Sequence, residues 1–332
     1  MIDAEVTEET DVRKKSSLVV IIVCAFLSVA LTKVGFLSLF FLVPVGYAVL
    51  VCNSLWLPSL AAASLNAVLL IILRLFFRGG AGNLPLEILY FTTLFMGFAF
   101  IMGGSHLRGA YRFVLASAAG TVVFLIYISS SGSGFYSSLN EMSQMLTQVF
   151  VNSANVDPAR RSLLQQMITP EGALEMIKNL ILRGGALISV SFVFFINRQI
   201  AISIVSVIKK QGKDRGLTGF FAPSVTIWVL SGALVVIFLT RMFRVQTIEI
   251  MAWNVLVICA ILFLAQGAGI VLHFLARRTY VFRFISVVLV VMAILSPGIN
   301  MIAVSAILLL GIAENWLPLR APKKGPASTP EP

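Results

Sequence analysis

Five polar side chains stand where the surrounding sequence is almost wholly apolar: Arg198, Asn254, Gln266, His273 and Asn300. In lipid such groups cost free energy unless paired or hydrated, and an arginine at a helix centre costs about 2.5–3.5 kcal/mol on insertion scales. They therefore mark either a polar cavity that holds a small solute or hydrogen bonds that tie helices together. Gln266 and His273 are seven residues apart and share one face of a helix that also carries Asn254 and Gly269. Arg198 has two readings. It is a counter-charge in a cavity, or the membrane helix ends near Asn197 and residues 198–208 lie along the interface with Arg198 snorkelling. Asn66 shares the ambiguity of Asn300.

Catalytic chemistry has little to work with. The chain has fourteen acidic residues, and ten of them lie in the polar N-terminal tail, the C-terminal end or the 139–175 segment. The two histidines, His106 and His273, fall near the ends of different helices. No glycine-rich phosphate loop, HExxH zinc motif or nucleophile elbow occurs. The sequence thus predicts no catalytic site, no metal centre and no cofactor. Cys24, Cys52 and Cys259 lie inside apolar runs and read as small packing residues, not as a disulfide or metal framework.

The elements that position the polar groups follow from composition. Hydrophobic residues make up 58% of the 332-residue chain and charged residues 12%, against about 45–50% and about 25% in soluble domains. The apolar residues come in runs, and a membrane-crossing helix needs about 20 of them. Spans are predicted near 17–31, 36–52, 55–77, 86–105, 113–131, 176–208, 220–240, 247–275, 281–295 and 299–314, which makes an all-α polytopic transmembrane helical bundle of about eight to ten spans. Its principal partner is the lipid bilayer.

Polar sequence divides the chain into five parts. Residues 1–16 form an acidic-then-basic tail, read as disordered or interfacial, with no signal-peptide cleavage site after it. Residues 17–131 form an N-terminal bundle of about five spans. Residues 132–175 form an extracytoplasmic linker with short helices, because Asp157-Pro158 and Thr169-Pro170 read as helix starts. Residues 176–315 form a second bundle of about five spans, and 316–332 a basic, proline-rich tail. The 176–208 stretch is longer than one upright span requires.

The net charge of +11 does not point to nucleic acid, since lysine and arginine cluster in short connections between spans, as the positive-inside rule expects. With ten spans and the N-terminus inside, fifteen basic residues face the cytoplasm and nine the other side, with Arg198 within a span. Both termini are then cytoplasmic. Small residues four apart, Ala63 with Ala67, Ala116 with Gly120, Gly185 with Ser189 and Ala265 with Gly269, predict close helix packing. At the end of the last span Trp316 and Arg320 suit the membrane boundary. Glu314 sits one turn inside, to pair with Arg277, Arg278 or Arg320, to meet a basic partner or to couple an ion.

The stretch Ala265-Gln266-Gly267 through His273-Phe274 and the closing set Gly311, Glu314, Trp316 and Arg320 resemble the YybS-like family of bacterial multipass membrane proteins. The Asn197-Arg198 pair and the Pro223 to Trp228 stretch are similar to that family's central region. Glu314 stands where aspartate is usual in the family, and Pro318 where a polar residue is common. The resemblance implies a bacterial cytoplasmic membrane protein with no firmly established activity. Its implied fold is similar to the solute-binding S components of energy-coupling-factor transporters. It further implies a small solute and an ATPase-linked coupling subunit as partners, with Ala63 and Ala67 the counterpart of the S-component contact to that subunit. The alternative is a non-transporting envelope or scaffold protein that acts through protein–protein contacts, with 132–175 as its recognition element.

Overall fold

A computed structural model describes residues 2–52, 54–77, 83–103, 106–130, 137, 139–141, 143–145, 170–208, 219–276, 299–317 and 319–320. The span expected at 281–295, the helix start at Asp157-Pro158 and the tail from residue 321 lie outside them. The described backbone is 90% helical with no strand. Seven of its helices are long and apolar enough to cross a bilayer, and the shorter apolar helices Ser17–Leu31 and Asn300–Ala313 join them. Large apolar side chains cover the outward faces, among them Phe26, Phe76, Trp228 and Phe238. Only a lipid surround makes such a surface stable. The chain is an all-α, polytopic integral membrane protein.

The helices are α1 (Ile2–Leu31), α2 (Val43–Cys52), α3 (Leu57–Phe77), α4 (Leu84–Met102), α5 (His106–Ser130), α6 (Pro170–Leu180), α7 (Ala186–Ile208), α8 (Val225–Phe243), α9 (Gln246–Ala276) and α10 (Ile299–Ala313). A 3₁₀ helix, Gly35–Phe40, precedes α2, and a π-type turn, Ile181–Gly185, joins α6 to α7. α1 differs from expectation, because one continuous helix runs from the polar tail through the first span. α6 starts at Pro170, where Thr169-Pro170 predicts it.

The chain forms two compact units, residues 1–212 with 246–254, and 213–245 with 255–332. This division differs from the expected break at 132–175. The reason is that α7 packs against α2 and α5. In the first unit, Phe41, Leu42, Val45, Phe95, Phe98, Val190 and Phe194 form the centre of the core. Side-chain contacts fix which helix ends lie together. At one end Cys52 Sγ donates to the Ser17 carbonyl at 3.6 Å, and Arg112 reaches the Phe100 carbonyl at 3.5 Å and lies over its ring. At the other, Arg74 pairs with Glu87 at 3.8 Å and Asn83 Nδ2 donates to the Ser130 carbonyl at 3.3 Å.

In the second unit α9 and α10 cross at two glycines. A Cβ on Gly267 would enter the carbonyl oxygen of Ile307, and one on Gly311 the carbonyl oxygen of Phe263; each would stand 2.8 Å from the carbonyl carbon behind that oxygen. The two backbones therefore meet with no side chain between them. Lipid tails are as apolar as leucine, so close van der Waals approach of this kind, not exclusion of water, holds helices together in a bilayer.

Candidate functional site

Two membrane helices of the first unit are interrupted, and each gap is closed by an asparagine from elsewhere in that unit. The first gap lies between Phe40 and Val43. The apolar run 35–52 is one hydrophobic stretch by composition, yet its backbone changes from 3₁₀ to α inside it. Backbone groups freed in lipid must be satisfied within the protein. Asn197, fully buried on α7, does this on both sides: the Leu42 N–H donates to its Oδ1 at 3.1 Å, and its Nδ2 donates to the Leu39 carbonyl at 2.7 Å. Ser28 Oγ of α1 donates to the Phe41 carbonyl.

An Asn197→Leu variant keeps the size and removes both bonds. Leaving two buried backbone groups unpaired costs about 1–3 kcal/mol each. The expected result is a lower unfolding midpoint in a denaturing-detergent titration of the purified protein. An unchanged midpoint would mean that the gap is satisfied some other way.

The second gap is the π-type turn. Arg183 (φ −86°, ψ 21°) and Gly184 (φ 126°) leave the helical region, and Gly184's positive φ is one that side chains resist. Asn254 Nδ2, from the start of α9, donates to the freed Leu182 carbonyl at 2.7 Å and to Ile250 at 2.9 Å. Arg183 approaches Glu249 at 3.5 Å, and Trp253 Nε1 donates to the same carboxylate oxygen at 3.4 Å. This turn also explains the excess length of 176–208. The extra length includes α6, and α7 continues without a break through Asn197-Arg198 to Ile208, with Ala201 and Val205 buried. Arg198 is half-buried on that helix.

Between the two gaps lies a cavity of about 240 Å³. Its walls are Thr32 and Ser38 from the α1–α2 connection, Phe41 at the first gap, Tyr90, Phe91 and Leu94 of α4, Phe124 of α5, and Ser189, Val190 and Val193 just past the second gap. It belongs to the bundle end marked by the Arg74–Glu87 pair. Phe41 meets Phe91 edge-on at 6.1 Å and Phe95 at 5.4 Å. Tyr90 is tilted against Phe124 at 5.4 Å and stacked on Tyr127 at 6.1 Å.

The five sequence candidates do different things. Asn254 closes the second gap. Gln266, buried in the second unit, accepts the Ala222 N–H at 2.7 Å with its Oε1 and so holds the extended entry to α8. His273 is half-exposed near the end of α9, with its Nε2 buried and unpartnered among the described residues and its ring edge-on to Phe274. Asn300 Oδ1 accepts the Met301 N–H at 2.7 Å in the first turn of α10. Arg198 follows Asn197 on α7. None of the five lines the cavity. Asn66 is buried on α3 with its Oδ1 unpartnered among the described residues.

The C-terminal set has one geometry. Arg320 Nε and Nη2 donate to the two Glu314 carboxylate oxygens at 2.6 and 2.5 Å. Its Nη2 also donates to the Phe220 carbonyl at 2.8 Å, and its guanidinium lies 4.0 Å over the Phe221 ring. Gly311 makes the α9 crossing and Trp316 is exposed. Of the small-residue candidates, Ala63 and Gly269 are buried, while Ala67 and Ala265 are half-buried. The closer α9 contact falls between Ala265 and Gly269, at Gly267.

The residues that sequence reasoning missed are Ser38, Tyr90, Phe91 and Phe124. Hydroxyls and a tyrosine inside apolar spans were the available signal. Among the described residues no group of acidic, histidine and cysteine side chains suits a metal ion, and Cys24, Cys52 and Cys259 are free thiols. Fold and site together define a polytopic helical membrane protein with a cavity between two interrupted helices. No family model, curated protein or solved structure matches the chain.

Proposed function

We propose that this chain is a small-solute-binding membrane subunit whose site is the cavity walled by Ser38, Phe41, Tyr90, Phe91, Phe124 and Ser189. The observation that carries the reading is the position of that cavity, walled by Ser38 and Phe41 at the first gap and by Ser189 one turn past the second. Membrane carriers place their substrates at such interruptions, because unwound backbone is tolerated only where it is buried in protein or lines a cavity. A concave, mainly apolar chamber with a few polar groups is also the usual form of a ligand site. The role is that of an S component, as the resemblance to the YybS-like family suggests. The chain carries no phosphate-binding loop, so ATP-driven work would fall to a separate coupling subunit.

The setting proposed is the bacterial cytoplasmic membrane. Arg112 and the sequence runs Arg13-Lys14-Lys15 and Lys209-Lys210 favour a cytoplasmic location for the end of the bundle opposite the cavity. The cavity then faces outward, where a solute would be captured.

The test is purification in mild detergent followed by organic extraction and mass spectrometry of whatever is bound. A small molecule should accompany the wild type in near-stoichiometric amount and be absent from Ser189→Phe, which fills the cavity from α7. Equal thermal melting of the two proteins would establish that the variant is folded. A wild-type extract with no bound molecule in protein that retains its lipids, or retention of the same molecule by Ser189→Phe, counts against the proposal.

A further inference from the structure

We infer that the ligand of this cavity is an uncharged, flat ring compound no larger than a bicycle, with at least one N–H or O–H on its edge. The inference rests on the solute-binding reading above and names the class of solute. Charge is excluded first. No acidic, basic or histidine side chain is among the cavity's walls. At the same end of the bundle Arg74 and Glu87 pair with each other at 3.8 Å, and Lys33, next to Thr32, is exposed and is not among the walls. An ionised ligand would give up part of its water with no counter-charge among the walls to meet it.

Shape follows from the rings. Four aromatic side chains, Phe41, Tyr90, Phe91 and Phe124, contribute to the walls, and none of the contacts among them is a face-to-face stack. The Phe41 and Phe91 rings are inclined at 81°, Tyr90 and Phe91 at 59°, Tyr90 and Phe124 at 40°. The one parallel stack, Tyr90 on Tyr127 at 4°, engages a ring that is not among the cavity walls. Such an aromatic lining takes a flat ring by edge-to-face or offset contact. The volume of about 240 Å³ is below the roughly 300–1,000 Å³ of drug-sized sites, which limits the ligand to one or two fused rings.

Hydrogen bonding comes from hydroxyls alone. Thr32 Oγ1 donates to the Val29 carbonyl at 2.7 Å and Ser189 Oγ to the Gly185 carbonyl at 2.9 Å. Their protons are used, and their oxygens remain as acceptors. The Ser38 and Tyr90 hydroxyls make no hydrogen bond to the described residues and can donate or accept. Acceptors therefore outnumber donors in the walls, which selects a ligand that brings its own N–H or O–H. A lipid tail or a detergent chain supplies none.

Four probes of one shape decide the matter: indole, indene (which lacks the N–H), tryptamine (a cation) and indole-3-acetate (an anion). Binding to the full-length protein is measured by equilibrium dialysis, taking as signal the difference between wild type and Ser189→Phe in the same detergent. Indole should bind saturably, and the other three at least tenfold more weakly. At least one of Ser38→Ala and Tyr90→Phe, whichever removes the acceptor of the indole N–H, should weaken indole severalfold, and both should leave indene unchanged. Binding of tryptamine or indole-3-acetate as tight as indole, lost in Ser189→Phe, would overturn the assigned class while the solute site stands. Equal binding of indole and indene would make the cavity a lipid-chain pocket and overturn it too. If no probe binds and no molecule is extracted from the wild type, the solute-binding reading itself fails.

Discussion

An Arg320→Met variant is expected to lose about 3–5 kcal/mol of stability, the usual cost of leaving one partner of a buried ion pair alone. The side chains of Arg320 and Glu314 are only 4% and 2% exposed, so solvent does little to screen them. Their forked contact is the geometry that a guanidinium offers a carboxylate and an ammonium cannot. Removing arginine leaves the buried Glu314 carboxyl without its partner and also releases the Phe220 carbonyl and the Phe221 ring.

The order of three further variants tests this account. Glu314→Gln should cost less, since Arg320 keeps its other two partners. Arg320→Lys should fall between, and the double variant Glu314→Gln/Arg320→Met should recover much of the single-variant loss. Denaturing-detergent titrations of all four give the coupling directly. Additive losses would show that the pair is not a unit.

Second in size is the glycine crossing. Gly267→Ala or Gly311→Ala should each separate α9 from α10, because the new methyl group meets a backbone carbonyl and not a side chain that can rotate away. Ordinary overpacking costs about 1–3 kcal/mol, and here the obstacle cannot repack, so the loss should reach the top of that range. Gly232 on α8 is the control. A Cβ there meets nothing within 4 Å, and alanine is favoured over glycine in a helix by roughly 0.5–1 kcal/mol. Gly232→Ala should therefore leave the protein unchanged or slightly more stable. Equal effects at Gly232, Gly267 and Gly311 would remove the basis for the crossing.

How far the sequence reveals this molecule depends on whether a feature is local. The spans are legible because runs such as 57–77 and 225–243 are long and apolar whatever surrounds them. The start of α6 is legible because a proline fixes its own backbone. The gap at 41–42 is half legible: Pro44, which has no N–H to offer the Phe40 carbonyl, marks where α2 must begin, but that Asn197, distant in sequence, fills the gap is not local. Gly184-Gly185 was visible as a pair of glycines, but not as the turn that separates α6 from α7. Small-residue spacing pointed at Ala265 and Gly269, whereas the contact uses Gly267 with Gly311, a pairing that needs the register of two helices. The polar stripe on α9 was real in sequence and divided in space: Asn254 serves the second gap, Gln266 the α8 entry. The cavity was least legible, because its walls are ordinary phenylalanines and serines that matter only where several helices bring them together.

The partnership of Leu39 and Leu42 with Asn197 has a bearing on how the protein is made. The two bonded segments lie 155 and 158 residues apart, and a ribosome adding about 5–20 residues each second needs roughly 8–30 s to cover such a distance. Throughout that interval the nascent second span carries an open carbonyl and amide with no partner in the bilayer. It must wait in a protected or hydrated place, at the insertion machinery or beside a chaperone, until α7 arrives to release it.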